Sequence, residues 1–339
     1  MSDMPYLAAA GLQSVGTPTL WTVTIVGVLA LMVLDFFVTR RPHEVSMREA
    51  LGWSAFYVAL PLAFGVWVWS SFGSKQGVEY LTGYLVEKSL SVDNLFVFML
   101  LLAAFAVPAA LAQRALLYGI AGALVLRAVF IAVGAAALQT LDFAFLIFAI
   151  ILLLTAAKLL RDAVSGHEQD VDINNMRSVR LLRKFMPVTE EYHGTKMVIR
   201  VGGRRTLTPL ALVVVALLAT DIVFAVDSVP AVYGITEDPY LVFATNAFAL
   251  LGLRALYFVL HAALSRLVHL SYGLAIILAF IGLKLGLHWA HGIWPGVPEI
   301  PTLASLGVII GVLVIVTLTS LRATSKAGGG EKEVVVERH

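Results

Sequence analysis

Two stretches, EKSLSVDNLFVF at residues 87–98 and DIVFAVDSVPAV at residues 221–232, follow one pattern: an acid, five residues, a second acid, then an amide or hydroxyl side chain. Both stretches lie inside strongly apolar runs. An ionisable side chain at the centre of a membrane helix costs about 2.5–3.5 kcal/mol on insertion scales. Such groups must pair, face water or hold an ion.

The surrounding composition explains why a membrane is the setting. Of the 339 residues, 59% are hydrophobic and only 14% charged, against roughly 25% charged in a soluble domain. Mean hydropathy is +0.88. Nine apolar runs approach the ~20-residue spanning length: 19–39, 50–72, 78–105, 113–138, 141–161, 208–234, 240–266, 270–290 and 302–322. The expected fold is therefore an all-α polytopic membrane protein. The first run follows eighteen residues without Lys or Arg and lacks a small-residue cleavage site, so it reads as a span and not a cleaved signal. Cysteine is absent, which closes off disulfides and thiolate metal sites. Basic residues gather in alternate connections, with Arg40, Arg41 and Arg48 in one and eight Lys or Arg residues in the 162–207 loop. The opposite connections carry Lys75 alone, beside Asp142, Glu237, Asp238 and Glu299. The bias places the N-terminus outside and the C-terminus in the cytoplasm.

Beyond the acidic pairs, VLRAVF (125–130) matches GLRALYF (252–258), and FAIILLLTAAK (148–158) matches LAIILAFIGLK (274–284). Arg127 thus stands against Arg254 and Lys158 against Lys284, at separations of 31 and 30 residues. Residues 78–161 and 208–291 become two three-span copies. An odd number of spans threads the second copy from the opposite side, which is the inverted repeat of many secondary transporters. Residues 1–77 add an outer segment and two accessory spans, 162–207 a basic loop, and 292–339 a ninth span with a Gly-rich, charged tail expected to be disordered.

Six residues on a straight helix advance ~9 Å and leave two side chains on faces ~120° apart. In an inverted pair, Asp93 and Asp227 are expected to meet at mid-depth, with Glu87 guarding the outer approach and Asp221 the inner one. Asn94, Ser228 and Asn246 add oxygen ligands, and Pro230 frees the Val226 carbonyl. An oxygen-only set suits hard divalent ions. Two close carboxylates share a proton when empty, so metal entry displaces that proton. The expected cargo is a transported divalent cation moving against protons, and no resident cofactor is expected. Arg127, Arg254, Lys158 and Lys284 are expected as counter-charges of the empty site. Static ion pairs that only fix helix register are the competing explanation, and they lead to a membrane scaffold or assembly factor.

Weaker features read as structural. His288 and His291 beside Trp289 and Trp294 suit an interfacial belt. Asp35 is expected at the interface near Arg40 and Arg41. HEQDVDINN (167–175) lacks the glycine and final glutamate of a calcium loop, and the basic residues beside it suit anionic headgroups. No phosphate-cradling loop, nucleophile elbow or His–Glu zinc helix is present, so no enzyme is expected. The partners expected are the bilayer, the ion and protons. Nucleic acid is not expected, and protein partners are left open.

The stretches GYLVEKSLSVDNLFVF, DIVFAVDSVPAV, GLRALYF and YGLAIILAFIGLK resemble the TerC family of integral membrane proteins, especially its bacterial Alx-like branch. The likeness extends from VGTPTLW (15–21) to about residue 322. It implies a nine-span bacterial inner-membrane protein and, for that branch, Mn²⁺ export; the oxygen ligands by themselves leave Ca²⁺ or Mg²⁺ as alternative ions. The acids that the family ties to this activity fall here on Glu87, Asp93, Asp221 and Asp227. Members elsewhere are linked to tellurite resistance, calcium and thylakoid biogenesis.

Overall fold

The computed structural model describes residues 14–38, 47–141, 143–165, 176–189, 191–201, 203–263 and 269–336. Arg40, Arg41, Asp142 and the HEQDVDINN stretch lie outside them, as do the side chains beyond residue 324. The molecule is a helical bundle. Accessory helices α1 (Pro18–Val38) and α2 (Met47–Phe72) precede α3 (Ser74–Ala104), α4 (Ala109–Thr140) and α5 (Ala144–Ser165). After the short α6 (Arg177–Phe185) and an antiparallel hairpin of β1 (Val198–Val201) and β2 (Arg204–Leu207), the chain re-enters the bundle. There it forms α7 (Pro209–Tyr233), α8 (Pro239–Leu251), α9 (Leu253–Ala263), α10 (Leu270–Ile293) and α11 (Thr302–Val336).

Seven of these helices are long and apolar enough to cross a membrane: α1, α2, α4, α5, α7, α10 and α11. Two expected spans look different. Helix α3 is 31 residues long but carries the acidic motif and is less apolar. The 240–266 run divides at Gly252 into the 13-residue α8 and the 11-residue α9. At the far end, α11 continues through Gly328–Gly330 to Val336 where a disordered tail was expected. Good helix formers at Glu331, Lys332 and Glu333 follow the glycines and favour continuation.

Burial sorts the helices into core and belt. Half of the α7 spanning window and 44% of that of α10 are buried inside the protein, against 17% for α1 and α11. The belt helices turn residues such as Val23, Phe37, Val66 and Leu303 outward, as a lipid-facing surface requires. Packing is reciprocal. Helix α5 lies against α10 in the most extensive contact, while α4 packs on α7 and α3 on α8. Gly73, at φ 101°, makes the reversal between α2 and α3 in a conformation that suits glycine. Gly77 then lets the two helices close, because a Cβ there would lie 2.7 Å from the Trp69 side chain.

Candidate functional site

Arg127 heads the largest fully buried side chains of the protein and has no solvent exposure. From α4 its guanidinium pairs with Glu87 of α3, reaches Asp221 Oδ1 of α7 at 3.4 Å and donates to Asn246 Oδ1 of α8 at 2.8 Å. Asn94 completes the shell when its amide is assigned the orientation that satisfies both of its ends: the oxygen then accepts from Arg127 Nη2 at 3.1 Å and the nitrogen donates to the Leu90 carbonyl at 3.1 Å. One guanidinium therefore ties together the four central helices. The planar fork of donors is what allows two carboxylates and two amides to share it.

Around that cation lie oxygens with no hydrogen-bond partner. Glu87 Oε2, Asp221 Oδ2, Ser91 Oγ and Ser228 Oγ are all buried and unsatisfied. Leaving each such group unmade costs about 1–3 kcal/mol. The acids themselves are spread out: among the described residues no three His, Asp or Glu side chains converge as a ready metal cluster. Asp93 and Asp227 are partly accessible, and neither has an ion-pair partner among the described residues. Asp227 is close enough to both Asp93 and Arg127 to feel their charges. Helix α7 continues through Pro230 to Tyr233, so the Val226 carbonyl lacks its usual amide donor one turn from Asp227.

This arrangement departs from the expected ladder. Glu87 and Asp221 do not guard opposite mouths; both bend to Arg127 at the centre.

Three of the expected counter-charges are placed elsewhere. Arg254 donates to both oxygens of Asp35 on α1, at 2.7 and 2.5 Å, with Gln113 Oε1 at 3.5 Å. Asp35 is accordingly buried against Arg254 and does not lie open on the surface. The break at Gly252 turns α9 toward the accessory helices, and α9 packs on α2, so the nearest acid is not one of the motif. Lys158 is exposed, its long stem carrying the ammonium off the bundle near the end of α5. Lys284 opens into a cavity of about 800 Å³ at the end of the bundle away from the β-hairpin, where Glu79 and Glu299 are its acidic neighbours.

That cavity forms a vestibule. Thr236 Oγ1 donates to Glu79 Oε2 at 2.8 Å at its wall. His288 bridges two loops across it, with Nδ1 2.8 Å from Glu299 and Nε2 3.4 Å from Glu237. The His288 hydrogen bond holds the Glu237 carboxyl below its ordinary range, against the opposing effect of partial burial. Asp238 caps α8 by accepting from the Tyr240 amide at 2.9 Å, and it ties down Ser14 and Val15.

Lys88, Ser91 and Glu79 went unnoticed in the sequence. Lys88 Nζ donates to the Ala249 carbonyl at 3.3 Å and so caps the C-terminal end of α8 at its break. Its position directly after Glu87 was the available signal, because a lone cation in an apolar run also needs a partner.

The family model described as "Integral membrane protein TerC family" matches residues 72–328. The chain belongs to the TerC family. It is 43% identical over 310 residues to "Uncharacterized membrane protein Rv2723" of Mycobacterium tuberculosis (strain ATCC 25618 / H37Rv), covering 88% of this chain and 78% of that protein. It is 39% identical over 303 residues to "Uncharacterized membrane protein STKORF319" of Myxococcus xanthus, covering 88% and 91%. Identity is 38% over 315 residues with "Putative membrane-bound redox modulator Alx" of Escherichia coli (strain K12), covering 90% and 94%. No solved structure matches. The motif acids, Arg127 and Asn246 all fall inside the matched region of this TerC protein.

Proposed function

We propose that this TerC protein carries a hard divalent cation across the membrane, with Mn²⁺ efflux against protons as the activity. The observation that carries the reading is the set of unsatisfied buried oxygens on Glu87, Asp221, Ser91 and Ser228 around one guanidinium. A static ion-pair lock satisfies its own acceptors; this one leaves them open. In the proposed cycle, the arriving ion is first taken by Asp93 and Asp227, the accessible acids. Asn94 and Ser228, the residues directly after them, supply neutral oxygens. The ion then competes with Arg127 for Glu87 and Asp221. Arg127 acts as a tethered cation that keeps the empty site neutral and yields when the ion enters. The donor set is carboxylate, amide and hydroxyl, which favours Mn²⁺, Mg²⁺ or Ca²⁺ over soft metals. Thiol redox chemistry is closed to a chain without cysteine.

Purified protein in liposomes tests this. Mn²⁺ flux is expected to fall more than tenfold in Asp93→Asn and in Asp227→Asn while both still insert and fold, and parental flux in both would overturn the reading. The orientation we propose has the N-terminus outside and the α6–hairpin region in the cytoplasm, on the asymmetry of basic residues. The cysteine-free background makes it easy to check. A cysteine introduced by Lys196→Cys is expected to react with an impermeant maleimide in inside-out vesicles and to be protected in intact cells.

A further inference from the structure

The hairpin and α6 are joined where the Leu207 amide donates to the Pro187 carbonyl and the Thr189 amide to the Leu207 carbonyl, each at 2.9 Å, and they carry features that no transport step uses. Val179 of α6 is buried, and Leu182 packs in the same cluster, facing α7. At 100° per residue, Leu181 lies roughly 160° from Val179 and Phe185 about 120° from it, on the side of the helix that turns away from Val179. They are 57% and 73% exposed, and the exposed Arg180 and Lys184 flank them. In the hairpin, Arg200 stands directly across from Arg205, and Val201 across from Arg204. All four of these side chains are exposed. Like charges facing each other across a strand pair destabilise it unless an anion lies between them. Among the described residues no carboxylate pairs with Arg183, Lys184, Arg200, Arg204 or Arg205.

We propose that this surface docks on the anionic lipid headgroups of the leaflet it faces. Arg200, Arg204 and Arg205 hold the phosphates while Leu181 and Phe185 enter the acyl boundary. A facing arginine pair calls for an anion, and bare Leu and Phe side chains beside it call for an apolar medium. An anionic lipid supplies both in one molecule, and the surface is continuous with the end of α7, which enters the bilayer. The hairpin is fixed to that end, since the Thr208 amide donates to the Met197 carbonyl at 2.9 Å and the Thr208 hydroxyl to the Lys196 carbonyl at 2.7 Å. Headgroup binding therefore steadies the start of the helix that carries Asp221 and Asp227. Only the naming of the leaflet as cytoplasmic rests on the orientation proposed above.

The test uses the purified full chain in detergent, titrated with short-chain phosphatidylglycerol, phosphatidylcholine or inorganic phosphate and followed by thermal unfolding. Phosphatidylglycerol is expected to raise the unfolding temperature at concentrations where the other two do not, and the gain is expected to shrink with added salt. Arg200→Gln and Arg205→Gln are each expected to weaken apparent affinity roughly fivefold, the effect of removing one cation from an anionic surface. Leu181→Ser with Phe185→Ser is expected to weaken it again. Equal stabilisation by phosphatidylcholine, or parental affinity in the Arg200→Gln/Arg205→Gln variant, overturns the proposal. Equal stabilisation by inorganic phosphate replaces it with a soluble-anion site. Should a variant unfold without lipid, Arg204→Gln and the salt series decide the matter. The titration repeated on Asp93→Asn separates lipid docking from transport, because docking survives there even if the transport reading fails.

Discussion

Arg127 and Arg254 occupy matching places in two similar stretches of sequence, yet the structure gives them different company. Arg127 collects Glu87, Asp221 and Asn246 from three other helices and leaves several of their oxygens open. Arg254 closes on one acid, Asp35, with donors to both of its oxygens, and that acid belongs to an accessory helix outside either copy. The first arrangement has more acceptors than it can satisfy, and such a site can exchange partners. The second is a saturated two-pronged pair that holds α1 against α9. Similar stretches of sequence supply matching charges; the neighbours that each stretch meets decide whether its arginine is left with open acceptors or closed on one acid.

The difference is most sharply tested at Arg127. Arg127→Gln strands two fully buried carboxylates, and removing one partner of a buried charge pair costs about 3–5 kcal/mol. A large loss of thermal stability is expected, together with loss of Mn²⁺ flux. Adding Glu87→Gln to that variant is expected to recover much of the stability and none of the flux. Recovery of flux would mean that the centre is a lock after all, which is what a scaffold requires.

At Arg254 the same manoeuvre is expected to end differently. Arg254→Gln alone also falls in the range of about 3–5 kcal/mol. Replacing both partners, Arg254→Leu with Asp35→Leu, is expected to return stability to within about 1–2 kcal/mol of the parent, because a well-packed apolar pair often substitutes for a buried ion pair. Flux per folded molecule is expected to stay near the parental value. A double variant that folds but does not transport would move Arg254 into the working site.

These two arginines also mark how far the sequence can be read. The apolar runs, the acidic motifs and the need for a central counter-charge were legible, because charge in an apolar run has few affordable outcomes. The identity of Arg254's partner was not, since Asp35 lies far away in sequence and nothing in its neighbourhood points to α9. The break between α8 and α9 hides in a continuous apolar run, with Gly252 as its only local sign. Lys158 matched Lys284 in spacing, but spacing along a helix does not say which face meets lipid. Burial at the vestibule end of the bundle depends on the loops holding Glu237 and Glu299, whose approach is set by tertiary packing.

A smaller effect is expected at Lys88, whose ammonium ends α8 at the Ala249 carbonyl. Lys88→Met keeps the stem and removes the cap. A loss of about 1–2 kcal/mol is expected from the orphaned carbonyl and the lost interaction with the helix end. Thermal unfolding reads it, and Lys88→Arg is expected to restore most of it.

The smallest effect lies in the vestibule, far from both arginines. Glu237 and His288 are each about half exposed, so solvent screens their contact and the stabilisation is slight. Its pH dependence nevertheless has a definite sign. The hydrogen bond from His288 lowers the Glu237 carboxyl below its ordinary 4.5. The contact therefore stabilises the fold at pH above 4.5 and is lost as pH falls through the lowered value. On the alkaline side, two carboxylates can be served by both ring nitrogens only while the imidazole is protonated, so the bridge weakens again as His288 loses its proton. Parent and Glu237→Gln are thus expected to differ slightly in unfolding temperature near pH 6 and to converge as pH falls below the lowered Glu237 value and again toward about pH 9. A difference that persists unchanged across that range would show that the Glu237 loop is held by packing and not by charge.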